Sequence, residues 1–321
     1  MSELKTQILC DDQNGLKKAA HILSNGGLVA FPTETVYGLG ADARNGHAVA
    51  SVYAAKGRPS FNPLIVHVAD LETAKRFAQF NKTALDLAGA FWPGPVSLVL
   101  PLAQNHGLSE LVTASLDTVA IRMPAHDTAQ ALLHIFDGPL AAPSANPSGR
   151  ISPTSAGHVS TDMDGTINAV LDSGHCQVGV ESTILKVEED RVSLLRAGGL
   201  PIEAVEACLG YSVSMPQDPE TPQSPGQLQS HYAPNAAVRL NAKSLQANEV
   251  LLGFGPNLDS ATLNLSATGN LIEAAANLFA YMREIDTIAG VDKSIAISPI
   301  PLSGLGLAIN DRLKRAASPR D

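Results

Sequence analysis

Between residues 212 and 235 proline recurs at every third position, at Pro216, Pro219, Pro222 and Pro225, and no apolar periodicity is sustained. Such a stretch is unsuited to a hydrophobic core, because proline removes backbone donors and nothing apolar repeats at a helical or strand period. It divides the 321-residue chain into two folded units, a number that the length also suggests. The spacing suits an extended polyproline II path, on which Pro216 to Tyr232 would span on the order of 50 Å at about 3.1 Å per residue. It also matches ligands of proline-binding modules, but such matches are common and a tether is preferred. The expected boundaries are 1–211 for a large first domain, 212–235 for the linker and 236–321 for a small second domain.

The first unit reads as mixed helix and strand. Leu16, Ala19, Ala20, Ile22 and Leu23 fall at helical spacing across 14–25, Gly26-Gly27 offers a stop, and 28–31 is a short buried strand closed by Pro32. Further strands are expected at 64–68, 96–100, 118–123, 169–171, 183–187 and 192–195, with helices at about 48–55, 71–80, 83–91, 128–136 and 202–209. Strands and helices do not alternate strictly. This favours an α/β (α+β) fold on a twisted open mixed sheet with flanking helices over a purely parallel, doubly wound one. After the linker, strands at 238–240, 250–254 and 295–298 and helices at 271–288 and 305–314 predict a small α/β C-terminal domain.

Several function classes are disfavoured. A net charge of −9 with only 22 Lys plus Arg argues against a broad basic surface for nucleic acid, though not against a local basic cleft. Cys10, Cys176 and Cys208 show no CxxC or metal-ligand spacing and suit reduced thiols in a cytoplasmic protein. No secretory signal is expected at residues 1–12, and no apolar stretch approaches the roughly 20 residues needed to span a bilayer. Gly38-Leu39-Gly40-Ala41-Asp42-Ala43 fits G-x-G-x-x-A in form only, since no long apolar strand precedes it; its glycines suit a tight backbone path near a pocket. There is no P-loop, and Ser144 and Ser182 lack the GxSxG elbow of serine hydrolases.

What stands out chemically is Lys56-Gly57-Arg58, followed by Asn62 and His67, and then Ser144-Ala145-Asn146 at the end of an apolar run. Two cations beside small hydrogen-bonding residues suit an anion such as a nucleotide phosphate, and Gly57 would let a ligand approach the backbone. Alone, the triplet reads better as a solvated basic turn. The two threonines of Thr33-Glu34-Thr35 either contact a small polar substrate or cap a local turn. His67 and Arg122 interrupt apolar strands. Arg122 needs a carboxylate, from substrate or protein, and Glu181 beside Ser182 is a candidate partner. Arg196 either meets phosphate or stays solvated.

Taken together, these segments closely resemble the threonylcarbamoyl-adenylate synthases in their long form, with a YrdC-like domain, a linker and a smaller C-terminal domain. The resemblance rests on the run from Phe31 to Leu39, Lys56-Gly57-Arg58, Asn62-Pro63-Leu64, Trp92-Pro93-Gly94-Pro95, Val119 to Pro124 and Pro143-Ser144-Ala145-Asn146. It continues through Gly179 to Thr183, Leu195-Arg196-Ala197-Gly198, Ser224-Pro225-Gly226 and His231-Tyr232-Ala233-Pro234, and becomes sparse beyond. It implies an enzyme, a nucleotidyltransferase that makes threonylcarbamoyl-AMP and pyrophosphate from L-threonine, bicarbonate or CO2, and ATP, for the threonylcarbamoyladenosine modification of tRNA. Carried over by motif, Lys56, Arg58, Asn62, Thr118, Ser144, Asn146, Ser152, Arg196 and Tyr232 would serve ATP, with Lys56 and Arg58 catalytic. Thr35, His67, Arg122 and Ser182 would serve threonine. Mg2+ would be carried by the phosphates, with no dedicated protein site. The product would pass to the tRNA threonylcarbamoyl transferase machinery in the cytoplasm, with no membrane involved and a weak direct RNA contact left open. The linker would close over the ligands as a lid. Two rivals stay open: an RNA-binding module, and a carbamoyl-transfer or hydrolytic relative of the same fold.

Overall fold

The computed structural model describes residues 4–189, 191–214 and 231–318. Most of the expected linker, including its four regularly spaced prolines and Ser224-Pro225-Gly226, lies outside the described residues.

Ten strands form the first sheet: β1 (Gln7–Cys10), β2 (Val29–Phe31), β3 (Gly38–Asp42), β4 (Ile65–His67), β5 (Val96–Pro101), β6 (Thr118–Arg122), β7 (Leu140–Ala141), β8 (Ala169–Asp172), β9 (Thr183–Val187) and β10 (Val192–Arg196). Their order is β1-β8-β2-β3-β7-β4-β6-β5-β9-β10. Parallel pairs such as β4 with β6 alternate with antiparallel ones such as β5 with β6, so the sheet is open and mixed, as expected. The helices are α1 (Gln13–Ser24), α2 (Gly46–Lys56), α3 (Leu71–Lys75), α4 (Lys82–Phe91), α5 (Glu110–Thr113), α6 (Asp127–Phe136), α7 (Ala156–Met163) and α8 (Ile202–Leu209). A second sheet of four parallel strands, β11 (Val238–Arg239), β12 (Glu249–Gly253), β13 (Leu263–Asn264) and β14 (Ser294–Ile297), runs in the order β11-β14-β12-β13. It is packed with α9 (Leu271–Ala289) and α10 (Leu305–Ala316). Among the described residues no helix is long and apolar enough to cross a membrane.

Local chemistry explains where the helices start. The side chains of Asp12, Asn45, Asn81, Ser155 and Asn270 accept the first backbone N–H groups of α1, α2, α4, α7 and α9. The cap, with a sparse stripe of Ala156, Val159 and Met163, makes α7 a helix that hydrophobic pattern alone misses. The helix expected at 71–80 ends at Lys75. Beyond it the chain extends toward β5, where Ala78 bridges Leu102 and the Gln79 N–H donates to Pro101. The glycine-rich segment after Pro32 is β3, paired antiparallel with β2, which bears out the rejection of a dinucleotide turn.

Alternation along the strands decides what the first sheet can hold. Val66, Ile121, Leu98 and Leu185 point into the main core. Their neighbours Ile65, Val99, Ala120 and Ile184 point the other way and, with Leu195, form only a thin separate cluster. Helices α1 and α6 cover this second face at the β1-β8-β2-β7 end. Farther along, it is left to polar side chains. Val36, Ile151, Val180 and Tyr232 beside it join the core of the C-terminal unit.

Candidate functional site

The pocket opens on that thinly covered face. It is a cleft of about 520 Å³, counting its open mouth, and its lining includes Thr35, Arg58, His67, Arg122, Ser144, Ser182, Arg196 and Tyr232. Strand register creates the arrangement: β4 and β6 run parallel with His67 opposite Arg122, two residues far apart in sequence but adjacent in the sheet.

At one end stand the cations. Lys56 closes α2 and is buried, its Nζ donating to the carbonyls of Ser144 (2.5 Å) and Asn146. Burial, with Arg58 nearby, holds its ammonium well below the usual lysine range. Gly57 sits at φ 59°, capping α2 in the left-handed region, and an added Cβ would meet nothing within 4 Å. The backbone angle gives glycine a reason of its own here, and the open space around it leaves room for a ligand to approach. Arg58 donates from Nε to the Asn62 carbonyl (3.2 Å) and from Nη2 to the Pro63 carbonyl (3.0 Å). Burial first, and Arg196 among its neighbours, push its guanidinium down to about 10. Arg196 is buried, not solvated, and donates to the carbonyl and hydroxyl of Ser182.

At the other end Arg122 is neutralised. Its Nη2 lies 2.7 Å from Glu34 Oε2, Nη1 donates to the Thr35 hydroxyl (2.9 Å) and Nε to the Gly94 carbonyl (3.3 Å). The carboxylate partner is therefore Glu34, and Glu181 is not it. Both threonines line the pocket, and Thr33 also caps the local turn. Thr33 Oγ1 accepts the N–H groups of Thr35 and Val36, while Thr35 faces the arginine. His67 packs edge-on against Phe31, and burial, then Arg122, hold its imidazole neutral, down at about 3.

Buried polar atoms without a hydrogen-bond partner among the described residues gather here: both amide atoms of Asn62, Asn146 Oδ1, His67 Nδ1, His231 Nδ1, and Glu34 Oε1, Glu34 Oε2 and Arg122 Nη2, so that Glu34 and Arg122 meet as an ion pair by proximity without hydrogen-bond geometry. Such groups are rare unless a ligand or water completes them. Of the expected residues, Lys56, Asn62, Asn146, Thr118 and Ser152 lie off the pocket lining. Ser152 is fully buried and donates its hydroxyl to Glu181 Oε1 (2.6 Å). Thr118 begins β6, half-buried, on the same face as Ala120 and Arg122. Tyr232, at φ 61°, stacks on Phe279 of α9 and lies under the Arg312 guanidinium of α10, and His231 lines the pocket beside it. Residues 215–230 of the expected lid are outside the described residues.

Sequence reasoning missed Glu34, Ser97 and Arg312, and named His231 only within the lid motif. Ser97 shares its hydroxyl with Ser182 at 2.8 Å. Arg312 ion-pairs with Glu181 at 3.0 Å from the far end of the chain. One signal for it was legible, because Arg312 occupies a core position in the stripe Leu305, Ala308, Ile309, Leu313 and Ala316. A charge at such a position requires a buried partner.

Comparison with known proteins agrees with this architecture. Residues 21–198 match the family model described as "Telomere recombination" (Sua5_yciO_yrdC), and residues 200–318 match "Threonylcarbamoyl-AMP synthase, C-terminal domain". The threonylcarbamoyl-AMP synthase of Pyrococcus abyssi is 40% identical over 95% of this chain and 94% of its own. That of Bacillus subtilis is 41% identical over 98% and 96%. The crystal structure of P. abyssi Sua5 complexed with L-threonine superposes with a TM-score of 0.88 at 37% identity, covering 97% of each chain.

Proposed function

The chain belongs to the threonylcarbamoyl-AMP synthase family, and on that premise we propose how its pocket divides between two substrates. The activity is the ATP-using synthesis of threonylcarbamoyl-AMP, with threonine as a substrate. The observation that carries the division is electrostatic. Among the described residues Lys56 and Arg58 bond main-chain carbonyls and have no ion-pairing carboxylate, whereas Arg122 has Glu34. A polyanion belongs at the end that keeps its charge, and a zwitterion at the end that is already neutral.

Lys56, Arg58, Asn62, Ser144, Asn146, Arg196 and Tyr232 accordingly bind ATP, with Thr118 and Ser152 supporting them from behind the lining. Thr35, His67, Arg122 and Ser182 bind threonine, and the oriented Arg122 fork takes its carboxylate. The threonine amine combines with bicarbonate or CO2 to give a carbamate. A carbamate oxygen then bonds the α-phosphorus as the bond to pyrophosphate breaks, so the cations offset the charge that develops on the leaving group. Positioning and charge suffice without a covalent nucleophile. Glu34 and Glu181 are each paired with an arginine, so a Mg2+ would draw its oxygens from the triphosphate. Residues 1–211 form the catalytic domain and 236–321 a second domain, with 212–235 as linker and lid. His231 and Tyr232 are the lid's inner end. The product, a mixed anhydride, passes in the cytoplasm to the machinery that transfers the threonylcarbamoyl group to tRNA.

The test is pyrophosphate release from ATP with threonine and bicarbonate omitted in turn. Release is expected only with both present. Release indifferent to threonine overturns the reading.

A further inference from the structure

Arg312 is 1% exposed although it is charged and lies on α10, in the C-terminal unit. Its Nε donates to Glu181 Oε2 at 3.0 Å, and its Nη1 donates to the Ala197 carbonyl and to Asp311 Oδ2 at 3.2 Å. Its guanidinium carbon lies 5.6 Å from the centre of the Tyr232 ring. Three of these contacts are at, or one residue from, a pocket-lining group. Glu181 lines the pocket and precedes Ser182, whose carbonyl and hydroxyl hold Arg196. Ala197 follows Arg196. Tyr232 lines the pocket directly. One planar, multi-donor head therefore ties together three segments of the cation end, a task that a point charge or an apolar side chain cannot perform.

The charge matters as much as the shape. Glu181 is buried among cations, and a carboxylate there would offset the positive charge offered to an anion unless something else neutralised it. We propose that Arg312 is a positioning residue for the nucleotide end of the pocket, neutralising Glu181 and holding Glu181, Ala197 and Tyr232 in fixed register. The inference rests on the reading of that end as the ATP site. It gives the C-terminal unit a part in ATP binding at a distance from the chemistry.

The experiment measures binding of a non-hydrolysable ATP analogue, and separately of threonine, to full-length variants. Breaking a buried pair from one side is expected to make Arg312→Met bind the analogue about 30- to 100-fold more weakly, with threonine binding changed by less than about 3-fold. Adding Glu181→Gln to Arg312→Met removes the exposed charge conflict and is expected to restore analogue binding by about 10-fold or more. Arg312→Lys, which keeps the charge and loses the fork, is expected to fall between and covers the case that Arg312→Met does not fold. Equal losses for both ligands, wild-type behaviour of Arg312→Lys, or a double variant no better than Arg312→Met would reduce Arg312 to an interdomain anchor. Arg58→Ala is measured alongside. If it is silent, the assignment of the ATP site fails. If it weakens the analogue while Arg312→Met does not, only the positioning role fails.

Discussion

Arg122 and Arg58 are buried guanidinia lining one pocket, yet their surroundings do opposite things with the charge. Arg122 lies against Glu34, so the pair is neutral and its fork is oriented by Thr35 and Gly94. Arg58, like Lys56, is bonded to carbonyl oxygens, which satisfy its donors without removing its charge. A buried ion pair is tolerated in the folded protein without any ligand. Buried cations on carbonyls are less stable alone and gain when an anion arrives, which explains why Lys56 and Arg58 are both shifted toward deprotonation. One end of the pocket is thus built for orientation and the other for charge.

The largest effect that separates the two ends concerns stability. Arg122→Ala leaves Glu34 buried and unpaired and is expected to destabilise the fold by about 3 to 5 kcal/mol, as measured by urea unfolding. Arg58→Ala abandons only carbonyls and should unfold close to wild type. Equal destabilisation of the two variants would remove the contrast.

Catalysis should reverse the ranking of Arg58. Its replacement by alanine is expected to cost about 1.5 to 3 kcal/mol of transition-state stabilisation, roughly 10- to 100-fold in kcat/KM for ATP. Threonine affinity should hardly change. Wild-type kinetics would return Lys56-Gly57-Arg58 to the class of basic turns.

Acid titration sharpens the comparison, because each end holds one neutral histidine. Burial pushes both His67 and His231 down to about 3, with Arg122 adding to the effect at His67 and the cations Arg58, Lys56 and Arg196 at His231. The unfolded chain takes up these protons first, near the ordinary histidine value. Stability is therefore full above about pH 6.5 and falls toward pH 3, by about 1.4 kcal/mol per pH unit for each imidazole. Glu181 is silent from pH 6.5 down to about 4.5. Burial opposes its ionisation, but Arg312 and Arg196 hold it at about 2, so its contribution is present above its ordinary value near 4.5 and lost only as pH falls toward 2. Burial also holds His158 down at about 4, so replacing His67 by Phe should flatten the slope between pH 6.5 and 5 by about a third or less, whereas an ATP analogue should flatten only the part due to His231. An analogue that alters neither limb would place the nucleotide elsewhere.

The smallest expected effect lies in the turn beneath Arg122. Thr33→Val removes the oxygen that accepts two backbone N–H groups and should cost about 1 kcal/mol, read as a several-fold rise in the threonine KM with the ATP KM unchanged. A rise confined to the ATP KM would mean that the ends are assigned the wrong way round.

Much of this molecule is legible from its residues. Short apolar runs mark β4, β5, β6, β9 and β10, helical stripes mark α1, α4, α6 and α8, and the order of motifs marks the family. These follow from local periodicity and side-chain chemistry, which a chain carries in its own order. The partners of the buried charges do not. Glu34 lies within a run that sequence reading singled out for its threonines, and Glu181 was the carboxylate expected for Arg122. Yet the pleat and the register of β4 on β6 bring Arg122 beside His67, and the chain after Pro32 folds Glu34 onto it. Glu181 is met instead by Arg312, reached only because α10 packs its apolar stripe into the C-terminal core beside the first sheet. The sequence by itself determined which elements form and which chemistry the chain carries. Tertiary structure alone decided which charge neutralises which, because burial and pairing across a sheet act between residues that local pattern does not connect.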